Sequence, residues 1–263
     1  MNIAVIIKQV PVSNNVSVDP ETHALIRSSA EGMINPSDLN AIEAALSLRE
    51  REGGKVIVFT MGPPQAESSL REAMAIGCDE ACLVTDRAFG GADTLATACV
   101  LAKAIEHYGN IDLVCGGALS SDGATGQVGP MVAECLGFPH VSEMREIVAL
   151  SPDQSSLEVV KDLGHQSYHL QVTLPALLTF QFGANEPRLA TLRSTRAAKS
   201  KPLIQLSNAE LKMPADQIGS AGSPSRVIDT WEPSGGAWAQ MLTGSLEELS
   251  QQLHDLIAED EEV

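Results

Sequence analysis

The chain has 263 residues, of which 44% are hydrophobic and 19% charged, as in water-soluble globular proteins with one large or two small domains. Asp and Glu number 34 against 17 Lys and Arg, which gives a formal net charge of −17. Nucleic acids and anionic membranes need a basic protein surface, so neither is an expected partner. The first apolar run is short, ends at Lys8 and precedes no small-residue cleavage site, so it predicts neither a signal peptide nor a membrane span. We expect a cytoplasmic protein without membrane insertion.

In the first half of the chain, short apolar runs alternate with amphipathic stretches. The predicted strands are Ile3–Val10, Lys55–Met61, Glu80–Thr85 and Ile111–Gly117. The predicted helices lie within 38–54, 65–77, 92–109 and 127–137, and each ends at a glycine, the residue favoured at a helix C-terminus. This alternation predicts an α/β fold, with a mostly parallel open sheet and helices on both faces.

Outside this alternation the pattern changes. Residues 15–28 are typical of a hairpin inserted between the first strand and the first helix. The runs 155–163, 165–174 and 176–182 are strand-like with no helix between them, which predicts antiparallel additions to the sheet.

The C-terminal part is rich in Gly, Ser and Pro from about residue 208 to 244 and then carries an amphipathic helical pattern over 245–259. We therefore predict an α/β nucleotide-binding domain over 1–202 and an extended C-terminal arm over 203–263. The arm would end in a helix whose apolar stripe packs on its own core or on a partner.

The five cysteines form no C-x-x-C motif and mostly stand among Ala, Val and Leu. This context favours small core residues in a reducing compartment over metal ligands or disulfides. The six histidines are scattered, and neither H-E-x-x-H nor G-x-S-x-G occurs. The sequence thus predicts no metal site and no hydrolytic catalytic residues.

The glycine-rich stretch GGALSSDGATGQVGP follows the predicted strand 111–117 and leads into the helix predicted at 127–137. In open α/β sheets, ligands bind beyond the carboxyl ends of the strands, and a helix N-terminus there offers N–H groups to a phosphate. Residues 121–129 are therefore a candidate anion cradle that needs no basic side chain. They match neither a P-loop nor G-x-G-x-x-G, so a plain surface loop remains an alternative.

Three other loops follow predicted strands at the same edge of the sheet. They contain the capping candidates Asn35 and Ser37 around Pro36, the turn Thr60–Pro64, and a helix start at Asp93 and Thr94. Each loop alone is ordinary capping. Together they surround the edge where a nucleotide would lie.

Five segments, in chain order, resemble the β subunit of electron transfer flavoproteins. They are 6–19 (IIKQVPVSNNVSVD), 23–50, 59–98, 122–130 (DGATGQVGP) and 174–202. The resemblance implies an adenine-nucleotide-binding type of α/β fold and an obligate α subunit with a redox-active FAD. It also implies a role as electron carrier, and it predicts that the C-terminal arm embraces the α subunit.

The resemblance also implies a nucleotide site in this sequence. We include in it the helix start at residues 93 and 94. The candidate residues are Ile6, Asn35, Pro36, Ser37, Asp38, Met61, Asp93, Thr94, Asp122, Gly123, Ala124, Thr125, Gly126, Gln127, Val128 and Gly129. Some members of the family bind AMP there as a structural group. Others bind a second FAD, which takes a hydride from NADH and splits the electron pair between two acceptors. GADTLATA and DGATGQVGP look closer to this bifurcating type, so FAD is expected and AMP is the alternative.

The resemblance further implies a partner-recognition loop over Leu189–Lys201, in which Leu192 docks an acyl-CoA dehydrogenase or a related dehydrogenase. NADH and ferredoxin are the other expected redox partners, with NADH oxidation only in the αβ complex. Three alternatives stay open. They are an AMP-binding structural and docking subunit, a stress-type nucleotide-binding homodimer, and a free-standing oxidoreductase, for which the sequence offers no acid–base pair.

Overall fold

The computed structural model describes residues 1–12, 32–229 and 241–260. Two units can be distinguished, 1–227 and 228–263. The second contains the predicted amphipathic helix, which extends over Leu246–Asp260. The hairpin predicted for 15–28 lies outside the described residues. Among the described residues, no helix is both long and apolar enough to cross a membrane.

The first unit is built from strands and helices that largely alternate along the chain. The strands are β1 (Asn2–Ile6), β2 (Gln9–Pro11), β3 (Gly32–Ile34), β4 (Lys55–Met61), β5 (Glu80–Val84), β6 (Leu113–Gly117), β7 (His140–Leu150), β8 (Ser156–Asp162), β9 (Ser167–Thr173), β10 (Ala176–Phe180) and β11 (Leu203–Leu206). The helices are α1 (Pro36–Glu52), α2 (Glu67–Ile76), α3 (Thr94–Tyr108), α4 (Val128–Leu136), α5 (Leu192–Ala198) and α6 (Asn208–Leu211), and α7 denotes Leu246–Asp260 of the second unit.

Nine strands form one sheet in the order β11-β5-β4-β1-β6-β10-β7-β8-β9, while β2 and β3 pair separately as an antiparallel ribbon. The strands from β11 to β7 run parallel, and β7, β8 and β9 are antiparallel neighbours. The large sheet is therefore mostly parallel, as predicted.

Helices cover both faces of the sheet, which confirms the predicted α/β class. Successive residues of a strand point to opposite faces, and Ile3 and Ala4 of β1 accordingly belong to different clusters of the core. Ile3 shares its cluster with apolar residues of α1 and α2. Ala4 shares the other cluster with residues of α3 and α4.

The prediction of three antiparallel strands after residue 155 is wrong for the third. β8 and β9 are antiparallel, but β10 lies between β6 and β7 and runs parallel to both. Its run ALLTF is buried at every position, which is the pattern of a central parallel strand. The preceding β7 was not predicted as a strand, and its 11 residues mix apolar and polar side chains without a regular alternation.

The sheet extends past the predicted start of the C-terminal arm. β11 pairs with β5, so residues just beyond 202 belong to the sheet.

Three of the five cysteines are core residues. Cys78, Cys82 and Cys115 are buried as expected, whereas Cys99 is half-buried and Cys135 is exposed. The prediction that all cysteines are core residues is therefore wrong for Cys135, which lies in the last turn of α4.

Candidate functional site

A cavity of about 1000 Å³ opens at the carboxyl edge of the parallel strands. It is bordered by the segments that follow β1, β4, β5 and β6 and by the first turns of α3 and α4. Ligands of open α/β sheets bind at this edge, because the loops that connect strands to helices meet there. No group of three or more His, Cys, Asp or Glu in the described parts of the chain is arranged to hold a metal ion.

Most of the residues that the sequence assigns to the nucleotide site border this cavity. They are Ile6, Asn35, Asp38, Met61, Asp93, Thr94, Gly123, Thr125, Gly126, Gln127, Val128 and Gly129. The remaining four, Pro36, Ser37, Asp122 and Ala124, are sequence neighbours of lining residues but are not part of the wall.

The buried carboxylate of Asp38 joins three chain segments beneath the cavity. Its Oδ2 accepts a hydrogen bond from the backbone N–H of Lys8 at 2.6 Å, and its Oδ1 accepts from Gly117 N–H at 3.0 Å and from Asn35 Nδ2 at 3.1 Å. Burial raises the pKa of Asp38 to about 7, against the effect of these hydrogen bonds. Asp38 thus fixes the loop after β1 and the end of β6 to the start of α1.

Asn35 occupies the N-cap position of α1, as one reading of the sequence proposed, but its side chain makes no capping hydrogen bond. Instead, Nδ2 donates to the carbonyl oxygen of Leu119 at 2.9 Å, and Oδ1 accepts from the N–H of Ser121 at 3.0 Å. The amide therefore holds the beginning of the glycine-rich loop against α1.

The starts of α3 and α4 meet at the cavity and differ in how their N–H groups are satisfied. Asp93 caps α3 by accepting from Leu95 N–H and Ala96 N–H, both at 3.0 Å. Burial raises the pKa of Asp93, but hydrogen bonds from Ser225 and from the α3 backbone outweigh it and lower that pKa below its usual value. Thr94 Oγ1 donates to Gln127 Oε1 at 2.9 Å, which links the two helix starts.

No side chain caps α4. Its third residue, Pro130, has no N–H, so the first turn offers the N–H groups of Val128 and Gly129, both of which border the cavity. Uncapped N–H groups and the positive end of the helix dipole favour an anion at this position.

The glycines of this region are needed for different reasons. Gly126 has φ +63°, a left-handed conformation that favours glycine. At Gly117 an added Cβ would lie 2.2 Å from Asp38 Oδ1, and at Gly129 it would lie 2.5 Å from Thr179 Cγ2. Backbone conformation therefore requires glycine at one position and close packing requires it at the other two.

Sequence reasoning missed two cations of the cavity wall. The Lys8 ammonium lies 2.6 Å from Asp122 Oδ1 and 3.3 Å from Ser120 Oγ. Arg87 also borders the cavity and forms no ion pair with any described residue. The glycine-rich loop itself is free of basic residues, as predicted, but other loops supply positive charge. Lys8 follows the end of β1 and Arg87 follows the end of β5, each within three residues. This proximity to a strand end is the signal by which the sequence could have identified them.

The segment 188–201 lies away from the cavity and exposes two leucines, Leu189 (90% exposed) and Leu192 (85% exposed). Both ends of the segment are attached to helices. Arg188 forms ion pairs with Glu50 and, at 2.8 Å, with Glu43 of α1. At the other end, Lys201 Nζ donates to two carbonyl oxygens in and just after the last turn of α2, at 2.9 and 2.6 Å.

Known proteins resemble the chain over nearly its whole length. The family model "Electron transfer flavoprotein domain" matches residues 22–211. Electron transfer flavoprotein subunit beta of Thermoanaerobacterium thermosaccharolyticum is 43% identical over 254 residues, 96% of each chain. The caffeyl-CoA reductase-Etf complex subunit CarD of Acetobacterium woodii is 38% identical, with 93% of each chain covered. The acryloyl-CoA reductase electron transfer subunit gamma of Anaerotignum propionicum is also 38% identical, with 97% of each covered. With this coverage and the predicted α/β fold, the chain belongs to the electron transfer flavoprotein family, among its β subunits.

Proposed function

We propose that the chain is one half of a heterodimeric electron carrier and binds an adenine nucleotide, FAD rather than AMP, in the cavity at the carboxyl edge of its sheet. The complex would pass electrons between a donor such as NADH and dehydrogenase- or ferredoxin-type partners. The observation that carries this proposal is the cavity itself, into which a glycine-rich loop and two helix starts converge.

The uncapped start of α4 is the proposed phosphate contact. Val128 and Gly129 offer backbone N–H groups there, and the left-handed Gly126 lies two residues before the helix. Arg87 adds a cation to the wall, whereas the charge of Lys8 is balanced by Asp122. The uncapped N–H groups at the start of α4 are therefore the main feature that favours an anionic group at this part of the cavity.

The size and lining of the cavity favour FAD over AMP. A volume of about 1000 Å³ is at the upper end for small-molecule sites, and a dinucleotide needs more of it than a mononucleotide. The apolar side chains of Met61, Phe89 and Leu101 also border it and suit a flat ring system. When bound, FAD would supply hydride acceptance and one-electron transfer, while the residues of this chain would bind and orient it.

An α subunit is the proposed partner of the C-terminal arm. In α7, Leu246, Leu253, Leu256 and Ile257 are all substantially exposed. An amphipathic helix needs an apolar surface to cover such residues. The relatives support a complex as well, because one is named as a subunit of a reductase-Etf complex.

The second proposed partner is an acyl-CoA dehydrogenase or a related dehydrogenase, which would dock on Leu192. Two relatives carry the names of acyl-CoA reductase systems, and these names support this class of partner. Exposed leucines on an anchored segment, one of them the first residue of α5, suit insertion into a partner's apolar pocket. The free cysteines suit a reducing compartment, so we place the carrier in the cytoplasm.

The proposal is tested by co-expressing the chain with its α subunit, purifying the complex, denaturing it and counting the released FAD and AMP by chromatography. Two FAD per heterodimer are expected. One FAD and one AMP would make this chain a structural and docking subunit instead. A stable homodimer that binds ATP and no α subunit would overturn the proposed function altogether.

A further inference from the structure

Two thiols lie in contact at the surface where α3 packs along α4. Cys99 Sγ of α3 is 3.5 Å from Cys135 Sγ of α4. The first is half-buried and the second is exposed, whereas Cys78, Cys82 and Cys115 are buried. Nothing in the proposed electron-carrier function uses this pair.

A groove beside the two cysteines admits small reagents. Both cysteines border a groove of about 420 Å³ that is separate from the nucleotide cavity. Ala102, one turn after Cys99, borders the same groove. Burial and the hydrogen bond with Cys99 raise the pKa of Cys135 to about 11, so its thiol keeps its proton at neutral pH.

We propose that Cys99 and Cys135 form a reversible intrachain disulfide when a low-molecular-weight disulfide, such as oxidised glutathione, is the oxidant. One cysteine, as the thiolate, attacks a sulfur of the oxidant, forms a mixed disulfide and releases one reduced thiol. The other cysteine then attacks the mixed disulfide at the protein sulfur and releases the second thiol. The protein loses two protons and two electrons, and the oxidant is reduced to two thiols.

The crosslink would connect the two helices whose first turns border the nucleotide cavity. Cys99 is five residues after Thr94, and Cys135 is eight residues after Gln127, the two residues already joined at the cavity by a hydrogen bond. A covalent bond about two turns further along would fix the helices at a second point. We therefore expect the crosslinked complex to release bound nucleotide more slowly. This expectation rests on the proposed function, whereas formation of the disulfide does not.

The test uses the full-length chain in its complex, reduced, freed of reductant and incubated with oxidised glutathione at pH 8.5. Trypsin cuts after Arg87, Lys103 and Arg145, so the expected crosslink joins peptide 88–103 to peptide 104–145. The second peptide also contains the buried Cys115. Variant Cys135→Ser should therefore abolish the link, and the matched control Cys115→Ala should keep it.

The expected result is a mass decrease of two hydrogen atoms, the linked peptide pair, and recovery of both thiols with dithiothreitol. A stable glutathione adduct on Cys135 without the peptide pair would overturn the proposal, as would a link between the two peptides that survives Cys135→Ser and therefore uses Cys115. If the link forms and the nucleotide leaves at the same rate as from the reduced complex, the crosslink stands and its coupling to the cavity is refuted.

Discussion

Thr94 donates a hydrogen bond from Oγ1 to Oε1 of Gln127 at 2.9 Å and thereby joins the first turn of α3 to the residue before α4. The nearly isosteric Thr94→Val removes this bond. A neutral hydrogen bond contributes about 1 kcal/mol, so we expect nucleotide to bind about fivefold more weakly. Isothermal titration of nucleotide-free complex measures this change. Thr195→Val removes a bond of equal length in α5 and should leave binding unchanged.

The left-handed glycine of the loop has a matched counterpart at the other end of α4. Gly126 has φ +63° and Gly137 has φ +68°, and only the first borders the cavity. A Cβ in this conformation costs about 1 kcal/mol, so both Gly126→Ala and Gly137→Ala should lower the Tm, the former somewhat more because its Cβ would lie 3.3 Å from the carbonyl oxygen of Ala118. Only Gly126→Ala should also reduce the nucleotide recovered from denatured complex. Equal nucleotide contents in both variants would exclude the loop as a contact.

The raised pKa of Asp38 makes the stability of the fold fall as pH rises towards 7. Its pKa in the fold is raised from 3.8 to about 7, so between these values the native state binds more protons than the unfolded state. The contribution of Asp38 to the free energy of unfolding therefore falls as pH rises through this range. The difference in stability between the wild type and Asp38→Asn should shrink by about 2 kcal/mol from pH 5 to pH 7.

Urea unfolding of both proteins at pH 5, 6 and 7 measures this difference, because titrating groups that they share cancel in the subtraction. A difference that stays constant with pH would mean that Asp38 is already ionised at pH 5. In that case the three N–H groups that donate to its carboxylate would outweigh the effect of burial.

Leu192 is 85% exposed, so truncating its side chain removes little that stabilises the fold. If it inserts into a dehydrogenase, Leu192→Ala should slow electron transfer about tenfold or more at limiting partner concentration, with unchanged flavin content. Leu163→Ala, at another exposed leucine between β8 and β9, is the control. Stopped-flow flavin absorbance reports the rate, and equal rates for both variants would remove Leu192 from the docking surface.

The sequence predicts those features that local patterns determine. Strands β1, β4, β5 and β6 are short apolar runs bounded by turns, and the edge where their loops meet follows from their parallel direction. The return of β10 to the middle of the sheet depends on pairing with distant strands, which no local pattern encodes.

The same limit applies within the site. Asn35 reads as an ordinary helix cap, yet its side chain binds Ser121, 86 residues away. Arg87 follows a strand, and only the folded sheet places it at the cavity that the glycine-rich loop also borders. The contact of Cys99 with Cys135, 36 residues apart, is likewise tertiary.

The attachment of the segment 188–201 at both ends has an energetic consequence for encounter with a partner. Arg188 joins one end to α1, and Lys201 joins the other end to the last turn of α2. A free surface loop loses conformational entropy when it docks, and that loss weakens association. Here most of the ordering has already occurred during folding, so a partner receives a preformed surface and little of its interaction energy is lost to immobilising the loop.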